Sequence, residues 1–136
     1  MRKTAKILLG CILALGLLAA GVGHVLSRQI RQTYQWLDAV PIIELSQVRD
    51  GVWEGEEETA LVKATVQVTV KGHQIQEIQL TRHENGKGAP AEAMLPEMVR
   101  RNTSEVDTVS GATMSGKVIK AAVRSALAKG AAEGEP

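Results

Sequence analysis

The sequence predicts an α+β fold: a small antiparallel sheet with helices packed on one face, preceded by one transmembrane helix. Three observations predict it. Residues 7–26 carry no Asp, Glu, Lys or Arg. Apolar residues then alternate with period two between Leu61 and Thr81. Beyond Pro90 they recur at helical spacing in two further stretches. Strands first and helices afterwards give α+β order rather than alternating βα units.

The apolar run justifies the first element. Twenty residues, ILLGCILALGLLAAGVGHVL, span about 30 Å as a helix, the thickness of a hydrocarbon core. Arg2, Lys3 and Lys6 precede it, and all fifteen acidic residues lie beyond it. That bias predicts a single-pass protein of the cell membrane with its carboxyl-terminal domain extracytoplasmic. Ala19-Ala20-Gly21 resembles a signal-peptide cleavage site. The apolar run continues through Val22, Val25 and Leu26, which favours an uncleaved anchor over residues 1–27. Leu8-Leu9-Gly10-Cys11 has the letters of a lipoprotein box, but most of the apolar run follows Cys11 instead of preceding it.

Residues 28–45 read as a stalk. Ile30, Tyr34 and Leu37 share one helical face until Pro41 stops the helix. Tyr34 and Trp36 suit either a membrane surface or the underside of the domain. The soluble domain is expected over residues 46–129, with 130–136 a disordered tail.

Within the domain, Asp50-Gly51 is a turn signal and Val52-Trp53-Glu54 opens a strand. Val62, Ala64, Val66, Val68 and Val70 face one way, and Lys63, Thr65, Gln67, Thr69 and Lys71 the other. Gly72-His73 turns the chain into a partner strand from Ile75 to Thr81. There Ile75 is out of phase with Ile78 and Leu80, which predicts a bulge or an early strand end. Pro90 opens a helix with Ala91, Met94, Leu95, Met98 and Val99 on its apolar side, and Pro96 must kink or restart it. A last helix is expected from Ser115 to Lys129, ending at Gly130.

Composition limits the function. The chain has 136 residues, which allows one domain of ordinary size. Its only aromatics are Tyr34, Trp36 and Trp53, and the net charge is +1. Neither stacking platforms nor a basic surface for nucleic acid is available, so no nucleic-acid partner is expected. One cysteine and three scattered histidines make no zinc spacing, so no metal site is expected.

Two glycine-bearing stretches compete as ligand loops. Gly86-Lys87-Gly88-Ala89-Pro90-Ala91 spells a dinucleotide fingerprint, but no second parallel strand follows it. The second is Asp107-Thr108-Val109-Ser110-Gly111-Ala112-Thr113-Met114-Ser115. It ends where the last helix begins, and backbone N–H groups at a helix start favour a phosphate. Ser110, Thr113 and Ser115 supply hydroxyls, and Gly111 and Ala112 allow close approach. On the residues alone, a simple cap by Thr113 or Ser115 is the favoured explanation of the loop.

Asp107-x-x-Ser110-Gly111-Ala112-Thr113 resembles the flavinylation motif of the FMN-binding domain family. That family includes the covalent-flavin subunits of sodium-translocating NADH:quinone reductase and of the Rnf-type complex. The similarity covers about residues 47–128, including Asp50 to Gly55, the valine-rich strand and the closing Ala/Val helix. It implies that residues 46–129 form an FMN-binding domain carrying covalent FMN, with Thr113 esterified to the FMN phosphate by a flavin transferase. Asp107, Ser110, Gly111, Ala112 and Ser115 would recognise or cradle that phosphate. The implied role is electron transfer between membrane or cell-surface redox proteins, or to quinone. The alternative is a non-redox binding or assembly module. A third reading, an FMN reductase with a diffusible acceptor, lacks a nicotinamide or quinone site that can be located. The larger subunits carry Glu-Thr-Pro-Gly-x-Gly where this chain has Glu84-Asn85-Gly86-Lys87-Gly88, so ring contacts there do not carry over. Trp53 is open between stacking on the flavin ring and a core position.

Overall fold

A computed structural model describes residues 1–84 and 88–132. The Asn85-Gly86-Lys87 segment and the end of the expected tail, 133–136, lie outside the described residues. Helix α1 (Arg2–Ala39) has 38 residues and stops two residues before Pro41, whose ring cannot continue it. Within it lies an 18-residue stretch of mean hydropathy 2.3, and its apolar side chains from Ile7 to Leu26 are exposed. The helix is long and apolar enough to cross a membrane.

The first compact unit is Met1–Thr33 and the second is Tyr34–Pro136. The second unit takes in the end of the expected stalk, where Leu37 is only 1% exposed. Its sheet has three antiparallel strands in the order β1 (Gly51–Glu58), β2 (Lys63–Lys71), β3 (Gln74–Glu84). The β2–β3 turn has positive φ at both Gly72 and His73, the requirement of a type I′ hairpin. Asp50 Oδ1 accepts the Gly72 N–H at 2.7 Å, fastening the start of β1 to that turn.

The alternation expected from the valines is the observed burial pattern. Val62, Ala64, Val66, Val68 and Val70 are all buried. Thr69 pairs with Glu77 and Val70 with Ile75, so Gln76 is the extra residue of a bulge. The bulge restores Ile75 to the buried face beside Ile78. Thr65 departs from the pattern: it is buried on the polar face, its hydroxyl donating to Glu56 Oε2 and its carbonyl accepting from the Thr81 hydroxyl.

Helices cover the apolar face. Pro90 lies in a short 3-10 turn, Ala89–Ala93, and α2 (Met94–Arg101) starts afresh with Pro96 in its first turn. Proline costs no intrahelical bond there, which is how the chain tolerates it. Ala91, Met94, Leu95 and Met98 are buried as expected. Asn102 closes α2 in the left-handed conformation, and its side chain bonds the Ile75 N–H at 2.7 Å and His73 O at 3.2 Å. Helix α3 (Thr113–Ala132) lies across β1 and β2. It differs from expectation at both ends, starting at Thr113 instead of Ser115 and running through Gly130 to Ala132. Gly130 is no terminator. A Cβ there would come within 2.7 Å of Trp53 Nε1 and Val48 Cγ1, so glycine marks a close contact instead of a cap.

Candidate functional site

The loop between α2 and α3 is held from below. Val106 and Ala112 are buried, and Ser104 is buried beside them. Glu105 grips Arg124 of α3 with both carboxylate oxygens, at 2.8 Å from Nε and 2.7 Å from Nη2. Lys120 adds a third contact at 3.3 Å, and the Ser104 hydroxyl donates to Glu105 at 2.8 Å. The hydrogen bonds from Arg124 are the main reason why the Glu105 carboxyl is lowered to about 2, against a smaller opposing effect of burial. Arg124 is only 6% exposed, so this pair pins the loop to the helix through a buried guanidinium.

The motif residues follow from that anchor. Val109, Ser110, Gly111 and Ala112 form a β-turn closed by the Ala112 N–H donating to Val109 O at 3.0 Å. Gly111 has φ +82° while Ser110 is not in the positive region, the pattern of a type II turn. The turn delivers the chain into α3 at Thr113. The Gly116 N–H bonds Ala112 O at 2.9 Å. The N–H groups of Thr113, Met114 and Ser115 precede that bond and have no acceptor within the helix.

The expected site residues do not all share one surface. Asp107, Ser110, Gly111 and Thr113 are exposed around the start of α3. Ala112 is buried beneath the turn, and Ser115 is 2% exposed, so its hydroxyl does not join the outer group. Among the described residues, neither Thr113 nor Ser115 makes a side-chain hydrogen bond that would cap the helix. The capping explanation is therefore not what the geometry displays. An exposed, unengaged hydroxyl beside three amide donors fits a phosphate monoester or diester.

Two clefts flank the loop and share Val106 and Asp107. One, of about 220 Å³, also takes in Thr108, Lys117 and Asp38. The other, of about 180 Å³, reaches Met94, Glu97 and Arg101. Trp53 belongs to neither. It packs on Gly51 and Gly130, with its indole N–H donating to Arg49 O at 2.9 Å. Gly130 lies about 26 Å along α3 from Thr113 at 1.5 Å per residue. A mononucleotide held at Thr113 would be too short to lay its ring there, and Trp53 is half-buried against the core.

Sequence reasoning missed three contributors. Glu105 carries no motif, although Arg124, with no acid three or four places away on its helix, signals an off-helix partner. Gly116 sits inside a helical pattern because a Cβ would lie 2.9 Å from Thr108 Cγ2 and 3.1 Å from Met94 Sδ. Lys117 bonds both oxygens of Asp38 at 2.6 Å, and nothing in the local sequence hints at it.

Residues 62–128 match the family model described as FMN-binding domain. No curated protein and no solved structure matches the chain. The match begins at the threshold of β2 and ends inside α3, enclosing the loop and its turn.

Proposed function

We propose that this chain, a flavin-binding protein that belongs to the FMN-binding domain family through residues 62–128, carries its FMN as a phosphoester on Thr113. The bound flavin supplies the redox chemistry; the chain's part is to hold, orient and shield it. Thr113 Oγ is the attachment atom. In the attachment step its bond to the FMN phosphorus forms as the pyrophosphate bond of FAD breaks. AMP leaves with the bridging oxygen, and the hydroxyl proton passes to the transferase or solvent.

The observation that carries this reading is the Thr113 hydroxyl, exposed on the first residue of α3 and engaged in no hydrogen bond among the described residues. The amides of Met114 and Ser115 stand ready for the phosphate oxygens, and the positive end of α3 favours the charge that remains. Ser110, Gly111 and Ala112 form the turn that admits the nucleotide, and Asp107 is the recognition position for the transferase. Ser115 contributes its backbone instead of its hydroxyl.

With α1 as anchor and Arg2, Lys3 and Lys6 before its apolar run, we place the domain outside the cytoplasm. It passes electrons between membrane or cell-surface redox partners, protein or quinone. The direct test is peptide mass spectrometry of the full chain produced with its flavin transferase. The peptide containing Thr113 should carry the mass of FMN less water. An unmodified peptide beside an active transferase overturns the reading and favours a non-redox binding module.

A further inference from the structure

The cleft beside the motif loop joins three elements of the second unit: the end of α1, the loop at Asp107 and Thr108, and α3. Three cations line it, and two of them share one acceptor. Arg124 and Lys120 both hold Glu105. Lys117 is committed elsewhere, to Asp38, with Nζ 2.6 Å from each carboxylate oxygen and 5.3 Å from the centre of the Tyr34 ring. Asp38 is 57% exposed in its side chain, so this pair is far more open to water than that of Arg124, which is 8% exposed. Open ion pairs are weakly held and readily exchanged.

Lys117 also lies four residues after Thr113, one turn along the same face of α3. Side chains on a helix lean toward its amino end, which directs the lysine stem back over the turn that contains Thr113. A phosphodiester on Thr113 would place a permanent negative charge within range of this ammonium. Lysine meets phosphate as a mobile point charge, so it needs no fixed fork geometry to turn from one anion to another.

We infer that Lys117 is shared between Asp38 and the flavin phosphate, so that attachment of FMN to Thr113 draws it from Asp38 and loosens the segment Tyr34–Val40 from α3. The inference rests on the attachment reading above. The segment is not released whole. Leu37 stays buried at 1% exposure, and Val40 O still accepts from Arg124 Nη1 at 3.4 Å. The change is confined to the Tyr34 and Asp38 side, where Lys117 supplies both contacts.

Hydrogen exchange of the full chain in detergent micelles, produced with and without the transferase, tests this by local opening. Peptides covering residues 34–40 should exchange several-fold faster in the flavinylated protein, while those of β2 stay unchanged. Asp38→Asn should give the fast exchange without any flavin. Lys117→Met should make the two preparations alike, and Thr113→Val should be indifferent to the transferase. Equal exchange at 34–40 in wild-type protein with FMN confirmed on Thr113 overturns the inference and leaves the attachment reading standing. Absence of FMN from Thr113 overturns both.

Discussion

Gly55 of β1 and Ala122 of α3 meet backbone to backbone. A Cβ at Gly55 would lie 1.9 Å from Ala122 O and 2.6 Å from Ala126 N. The helix is seated so close that no side chain fits between it and the strand, and its Ala-rich face allows the approach. Gly55→Ala should therefore push α3 off the sheet. Overpacking of this kind costs about 1–3 kcal/mol, and more where backbone atoms must move. Thermal unfolding of the second unit's signal should show a lowered Tm; an unchanged Tm would contradict the seating of α3.

The Glu105–Arg124 pair predicts a pH dependence. The folded carboxyl sits at about 2, below its ordinary value of 4.5. A depressed acid contributes stability that is complete above the unfolded value and is lost as pH falls through the folded one. Its contribution should thus be full above about pH 4.5 and vanish progressively toward pH 2. Glu105→Gln should remove that part of the acid transition and lower stability at pH 7 by about 1.5–3 kcal/mol, the range for hydrogen bonds to charged groups. Denaturant titrations of wild type and variant at pH 7 and pH 3 check it: the gap between them should narrow at pH 3.

Gly111 tests the turn before the proposed attachment point. A Cβ there meets nothing within 4 Å, so the cost of Gly111→Ala comes from its φ of +82° alone. That cost is about 1–2 kcal/mol. Flavin labelling should fall further than stability does, because relieving the strain displaces Thr113. Labelling at the wild-type rate with a normal Tm would show that the turn geometry is irrelevant to attachment.

The periodic parts of the fold were legible because burial imposes them. One buried face on β2 demands the alternating valines, and the out-of-phase Ile75 announced its bulge. The start of α3 was less visible, since Ser110, Gly111 and Thr113 are poor helix formers and read as loop. Gly130 misled for a related reason. Glycine at a helix end usually terminates it, but here the space for a side chain is filled by Trp53 and Val48. The contacts that fix the site were invisible for want of local signal. Glu105 and Arg124 lie nineteen residues apart, and Asp38 and Lys117 seventy-nine. The motif named Thr113, but only the fold shows that Ser115 faces inward while Thr113 does not.

Topology has its own test. A reporter fused after Pro136 should be active only in an extracytoplasmic assay, given the basic residues before the apolar run and the acidic ones after it. Reversing the bias by removing Arg2, Lys3 and Lys6 together should raise the fraction of inverted molecules. Activity of the unaltered fusion in the cytoplasm would refute the proposed placement of the domain.

The sharpest prediction concerns Thr113 itself. Thr113→Val keeps the size and the branching at Cβ and removes only the oxygen. Thr113 is exposed and makes no side-chain bond among the described residues, so folding should be unaffected to within about 0.5 kcal/mol. That near-neutrality separates attachment from capping, because loss of a cap costs about 0.5–2 kcal/mol. Flavin fluorescence on a denaturing gel should disappear in the valine variant, since no ester can form. Thr113→Ser keeps the hydroxyl and should retain label. Ser115→Ala, at a buried position, should not abolish label, because its oxygen does not reach the outer surface. Denaturation-resistant flavin on Thr113→Val would move the attachment to another hydroxyl, with Ser110 the nearest exposed one in the sequence.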